Sequence, residues 1–140
     1  MQKNRITPKD YPLATKIPNL IKTPTGKKLE DITLESVMSQ DIKPEDIRIS
    51  KETLEMQAQI AEGMNRNAIA RNFRRAGELI SVPDERILEM YNALRPFRST
   101  KEELLEIANE LENIYNAKVN ADFIREAAEV YEVRKKLRVE

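Results

Sequence analysis

The stretch Ser99-Thr-Lys-Glu-Glu-Leu-Leu-Glu-Ile-Ala-Asn-Glu-Leu-Glu-Asn-Ile-Tyr-Asn116 decides the fold. Ser99 and Glu102 stand three apart in the pattern of a capping box, where each side chain satisfies a backbone N–H of the opening turn. Beyond them Leu104, Ile107, Ala108, Leu111 and Tyr115 recur at intervals that place them in one stripe along a helix. Asn116 reads as its stop. Asn120 then reads as the cap of a last helix carrying Phe123, Ile124, Ala127, Ala128 and Tyr131. The closing turns hold Arg134, Lys135, Lys136 and Arg138, cations that the negative end of a helix favours. Two apolar stripes joined by so short a connection bury one another by folding back. The class is mainly α, an antiparallel helical packing.

The same signals extend upstream. Pro83 suits a first helical turn, Asp84 and Glu85 sit at its positive end, and Pro96 stops it. Ile87, Leu88, Tyr91 and Leu94 are placed on one face of that helix. Ser50 is a good cap, and no proline interrupts Lys51 to Ile80, which reads as one helix. Residues 50–140 are therefore read as a helical domain.

Residues 1–49 differ. Five of the seven prolines (Pro8, Pro12, Pro18, Pro24 and Pro44) fall there, and each pushes its predecessor toward extended backbone. A short helix is expected around Leu34–Met38 with Thr33 as cap, and Ile47-Arg48-Ile49 as a strand fragment. Tyr11, Leu13, Ile17, Leu20 and Ile21 lie between prolines in residues 1–28, a segment with seven Lys or Arg against the single Asp10. Three readings stand open: a solvated tail, an extended partner-wrapping arm anchored by those apolar residues, and a basic arm for nucleic acid. The regular spacing of the apolar residues favours the wrapping arm.

Composition narrows the chemistry. The chain of 140 residues contains no Cys and no His, which removes thiolates, disulfides, the commonest general base and the commonest metal ligand. Lys plus Arg equals Asp plus Glu at 24 each, so no net field steers it to nucleic acid or an anionic membrane. No apolar run reaches the roughly 20 residues of a membrane helix, and the start lacks a secretory signal, so a cytoplasmic chain is expected. Three glycines leave no phosphate loop. Adjacent acids such as Asp84-Glu85 do not face each other on a helix. Glu102, Glu106 and Glu110 share a face that reads as a solvated stripe. No catalytic, cofactor-binding or metal-binding residue is assigned.

Arg66, Arg71, Arg74 and Arg75 form the one cluster that looks functional, yet they spread over about half of a helix circumference. Glu62 precedes Arg66 by four and Glu78 follows Arg74 by four, so ion pairs, internal or to a partner, are preferred over phosphate binding. Ala58, Ala61, Gly63, Ala68, Ala70, Ala76 and Gly77 suggest close approach of another element, with Gly77 alternatively marking a frayed helix end. Arg95-Pro-Phe-Arg98 places Phe97 between two arginines in a turn. Phe97 is either an interface anchor or a cap on this chain's own helix pair. The residues assigned to a partner interface are Tyr11, Leu13, Ile17, Leu20, Arg71, Arg74, Arg75, Arg95, Phe97 and Arg98.

Several segments are recognisable together: Tyr11-Pro-Leu-Ala-Thr, Thr23-Pro-Thr-Gly-Lys, Asp31-Ile-Thr-Leu-Glu, Arg48-Ile-Ser, Gln57-Ala-Gln-Ile-Ala-Glu, Ala70-Arg-Asn-Phe-Arg-Arg-Ala, Pro83-Asp-Glu-Arg-Ile-Leu, Tyr91-Asn-Ala-Leu-Arg-Pro-Phe-Arg-Ser and Val130-Tyr. In order and spacing, over nearly the whole chain from Asp10, they resemble the small (gamma) subunit of adenosylcobalamin-dependent glycerol and diol dehydratases. Gly77 departs from the alanine expected there. The resemblance implies a partnership with large and medium subunits in a dimer of heterotrimers. It implies conversion of glycerol to hydroxypropionaldehyde, or propanediol to propionaldehyde, started by a deoxyadenosyl radical from cobalt–carbon homolysis. Adenosylcobalamin and the catalytic residues then belong to the larger subunits, so none carries over. Relatives housed in bacterial microcompartments and acting on propanediol carry a longer leader, which tilts the expectation here toward glycerol. Two other classes remain: a helical nucleic-acid-binding or adaptor protein with a basic arm, and an autonomous lyase or hydrolase.

Overall fold

The computed structural model describes residues 5–139. Seven α-helices run through it: α1 (Leu13–Lys16), α2 (Leu34–Met38), α3 (Lys51–Gly63), α4 (Asn67–Glu78), α5 (Asp84–Ala93), α6 (Lys101–Asn113) and α7 (Lys118–Val133). Among the described residues there is no β-strand, only an isolated antiparallel bridge between Lys22 and Lys28. The expected strand at 47–49 is absent, because Ile47 closes a 3-10 turn begun by Pro44. The mainly α class stands.

Two compact units divide the chain, one ending at Gly77 and one beginning at Glu78. In the first, the arm is neither one long helix nor detached. Its prolines break it into single turns, and Ile6 and Leu13 lie buried against Met56 of α3, with Ile17, Leu20, Ile21 and Ile60 packed around them. Thr33 caps α2, its side chain accepting from the Ser36 N–H, and Ser50 caps α3 by accepting from the Thr53 N–H. Both caps fall where local chemistry places them.

The expected helix from Lys51 to Ile80 is two helices. Asn65 takes a left-handed φ of 59°, the Arg66 N–H reaches back to the Ala61 carbonyl at 2.8 Å, and the Asn65 N–H to that of Glu62 at 2.9 Å. This is a Schellman stop with asparagine in the position that usually asks for glycine. The break lets α3 and α4 pack through Ala58, Ala61 and Ala70, with Phe73 alongside. Gly63 is therefore the last residue of α3, where Pro8 of the arm presses against it.

In the second unit, α6 and α7 pack as the expected pair, with Leu104, Ile107, Ala108 and Leu111 against Ala121, Ile124 and Ala128. The alanines of α7 admit close approach, and Leu104 and Leu111 end almost wholly enclosed. The α6 cap is shifted by one residue from expectation: Thr100 and Glu103 form the capping box. The Ser99 hydroxyl instead donates to the Ala93 carbonyl at 2.8 Å, closing α5. Asn120 does not cap α7 but lies within its first turn, where its backbone and side-chain N–H groups reach the Glu78 carboxylate at 3.0 and 2.8 Å. Asn116, the expected stop of α6, is left-handed at φ 52°, three residues past the last helical residue. On α5 the expected face is rotated: Met90 is buried and Ile87 packs inward, while Leu88 and Tyr91 face out. Glu110 is not a solvated acid, since Arg86 grips it with Nε at 2.8 Å from Oε1.

Candidate functional site

Asp46 organises the arm. The segment Thr23-Pro-Thr-Gly-Lys makes a tight turn, with the Gly26 N–H on the Thr23 carbonyl at 2.9 Å and Gly26 at φ 92°. That sign of φ suits glycine. Around the turn the buried Asp46 carboxylate accepts from Lys27 Nζ at 2.7 Å, the Lys43 N–H at 2.9 Å, Thr23 Oγ1 at 3.1 Å and Thr25 Oγ1. The Lys27 ammonium first, then the Lys43 N–H and the Thr25 hydroxyl, hold Asp46 well below the usual carboxylate range. Four donors already occupy the carboxylate, so it is a staple rather than a reactive group.

Arg74 is the second organiser. Its Nε and Nη2 take both oxygens of Glu55 at 3.0 Å, and its Nη1 reaches Glu62. Glu62 also accepts from Arg5 Nη2 at 2.7 Å. A planar fork is suited to such a bidentate grip. Arg74 is the leading reason that Glu55 and Glu62 titrate below their ordinary values. The pairs expected from spacing, Glu62 with Arg66 and Arg74 with Glu78, are thus replaced by cross-helix pairs between α3 and α4 and by the Glu78 grip on α7. Arg71 and Arg66 point to solvent.

The turn after α5 carries the oddest backbone. The Arg98 N–H returns to the Arg95 carbonyl at 3.2 Å, Pro96 takes the second place, and Phe97 takes the third with φ 65°. That third position normally belongs to glycine, and a bulky residue there is strained. The carboxyl-terminal tail holds the turn in place. The Phe97 N–H donates to the Lys136 carbonyl at 2.7 Å, the Arg138 N–H to the Ser99 carbonyl at 2.9 Å, and Arg138 Nη1 to the Arg98 carbonyl at 2.8 Å. Lys136 Nζ stands 5.2 Å from the Phe97 ring centre, and the ring is still 56% exposed. Arg95 and Arg98 flank it, both exposed.

The ten interface assignments therefore fall into three settings. Tyr11, Arg71, Arg95, Phe97 and Arg98 are displayed at the surface. Leu13, Ile17 and Leu20 lie on α3 of this same chain, and Arg74 is engaged in its ion pairs. Arg75 is half-buried on α4. Asp46 goes unmarked by spacing, and the spacing of Glu78 points to Arg74 instead; apart from the Lys43 N–H, their partners lie 19 to 42 residues away. Among the described residues no group of three His, Cys, Asp or Glu side chains is disposed to hold a metal ion. No helix there is long and apolar enough to cross a membrane.

A family model described as "Dehydratase small subunit" matches residues 6–138. The chain belongs to this family. A curated relative from Salmonella typhimurium, named propanediol dehydratase small subunit, is 59% identical over 129 residues, covering 92% of this chain and 75% of the relative. One from Citrobacter freundii with the same name is 57% identical over the same share of each chain. Membership places the chain in the lyase class as a subunit, and its expected partners are larger dehydratase subunits. The alternative of a nucleic-acid-binding adaptor is set aside: the family match spans the basic arm, and the fork of Arg74 is filled by carboxylates.

Proposed function

We propose that this chain is the small, non-catalytic subunit of an adenosylcobalamin-dependent diol dehydratase, which it serves by bracing the larger subunits. The match over residues 6–138 carries this reading. Propanediol, going to propionaldehyde, is the first substrate assigned, because the relatives are named for it; glycerol, going to hydroxypropionaldehyde, is the second. With neither His nor Cys, the chain offers cobalt no imidazole or thiolate, so its own residues do not fit the cofactor. The cofactor supplies the radical chemistry from a site on the large and medium subunits. The assembly is a dimer of heterotrimers in the cytoplasm, associated with a microcompartment where one is made.

The chain's own contribution is mechanical. Tyr11 on the arm, Arg71 and Arg75 on α4, and the turn Arg95–Arg98 meet the partners. Leu13, Ile17 and Leu20 seat the arm on α3, and Arg74 ties α3 to α4. Residues 1–49 act as the wrapping segment and residues 50–140 as the helical body.

The test is co-expression of a tagged chain with the large and medium subunits. Both should co-purify, aldehyde formation should require them, and the tagged chain alone should neither retain adenosylcobalamin nor turn over diol. Stoichiometric cobalamin on the isolated chain would sink the reading. Hydrogen exchange checks the arm: its exposed turns should exchange fast in the free subunit and slowly in the complex.

A further inference from the structure

Helix α7 is apolar on two opposite sides. One side, Ala121, Ile124 and Ala128, is buried against α6. Stepping 100° per residue, Val119, Phe123, Val130 and Val133 fall within about 80° of one another on the other side. They are between 39% and 82% exposed. The stripe runs about 21 Å, nearly the whole helix. A surface helix normally gives that side to charged residues, and a helix apolar on both sides is one enclosed by neighbours.

Charge says what kind of neighbour. Glu126 falls inside the stripe and Glu129 along one edge, and neither forms an ion pair among the described residues. The other edge carries Ala127 and Arg134. A second copy of this chain is a poor occupant. In an antiparallel pair the two-fold axis puts both Glu129 edges on the same side. In a parallel pair each Glu126 faces its own copy across the axis, with the two helix dipoles aligned. Like charges at such contacts cost free energy.

We propose that the outer face of α7 docks on a larger subunit of the dehydratase, in an apolar groove with an Arg or Lys placed against Glu126 and Glu129. This rests on the family reading given above. The stripe supplies the apolar centre of the contact, Glu126 is the one charge within it and meets the partner's cation there, and Glu129 belongs to the polar rim.

The test uses the full chain co-expressed with the large and medium subunits, with the unaltered chain as control. Failure of the control to bring down partners would defeat the subunit reading itself. With a working control, Val119→Glu with Val133→Glu should lower co-purified partner by about tenfold or more. The melting temperature of the isolated variant should stay that of the parent, since both positions are exposed. Glu126→Arg with Glu129→Arg should weaken assembly at low salt and be partly relieved by added salt. Normal assembly by both variants overturns the proposal. So does a lowered melting temperature of the valine variant, which would make the stripe part of this chain's own packing. A homodimer of the isolated chain that the valine variant disperses would make a second copy the occupant, and also overturns it.

Discussion

Gly63 lies so close beneath Pro8 that a Cβ on it would stand 2.6 Å from the proline Cδ and 2.7 Å from Cγ. The end of α3 is the floor on which the arm's first turn rests, and glycine is what keeps the floor flat. Gly63→Ala should push Pro8 away and loosen Ile6 and Leu13 from Met56, at a cost of about 1–3 kcal/mol. Gly77 is the control. A Cβ there meets only Lys51 Cγ at 3.5 Å, an ordinary contact. Gly77→Ala, the residue the family resemblance leads one to expect, should instead gain up to about 1 kcal/mol. Urea unfolding of both variants checks the contrast; similar losses for the two would remove the special role of the Pro8 contact.

Asp46 should make the arm acid-sensitive. Its folded-state carboxyl titrates well below the ordinary value, chiefly through Lys27, so the unfolded chain takes up the proton first. Its contribution is fully present above about pH 4 and is lost as pH falls below that toward the folded value. Asp46→Asn lacks this dependence. The stability difference between parent and variant should therefore shrink between about pH 4 and pH 2. Protease cleavage near Lys27 and Lys28 should increase for the parent over the same interval. A gap that stays constant across that interval would contradict the assignment.

Glu78 should act as a cap for a helix 40 residues away. Its carboxylate accepts from the Val119 and Asn120 N–H groups at 3.2 and 3.0 Å, donors that the first turn of α7 leaves unmatched. Glu78→Ala should lower stability by about 1–2 kcal/mol, whereas Asn120→Ala, which removes one side-chain donor, should cost less. Thermal unfolding followed by circular dichroism separates them. If Asn120→Ala costs as much as Glu78→Ala, the cap is local after all.

These cases show where sequence reading succeeds. Thr33 and Ser50 were readable because a cap acts within three residues of itself. The α6–α7 pair was readable because its period persists over several turns. The choice between Ser99 and Thr100 was not, since Ser99…Glu102 and Thr100…Glu103 both fit the box. The phase that turns Leu104 and Leu111 inward decides it, and the Ala93 carbonyl takes the Ser99 hydroxyl. Gly63 and Asn65 are the local signs of the break between α3 and α4, in a run with no proline. Glu78 and Arg74, and Asp46 apart from the Lys43 N–H, draw their roles from residues distant in the chain, which spacing rules do not see. Of the surface, Phe97 stands out by its place between Pro96 and Arg98 in the turn, but its backbone strain is a property of the folded chain.

That strain gives Phe97 its test. A turn with Pro96 second would place glycine third, yet the chain keeps an aromatic there with φ 65°, its ring half exposed. Strained residues of this kind cost on the order of 1–3 kcal/mol and persist where the surroundings impose them. Here the Lys136 carbonyl, holding the Phe97 N–H at 2.7 Å, imposes it. Phe97→Gly removes the strain and the ring together. If the ring faces a partner, the isolated variant should keep its stability within about 1 kcal/mol, because relief of strain offsets the added freedom of glycine when unfolded. Assembly with the larger subunits should weaken by about 2 kcal/mol or more. Phe97→Ala should weaken assembly as much without the relief, and so melt below Phe97→Gly. A ring that instead caps this chain's own helices would make both variants lose about 3 kcal/mol on their own. Melting curves of the isolated subunit, set beside binding to the larger subunits, distinguish the outcomes. Unchanged values in both would leave Arg95–Arg98 as a connector and nothing more.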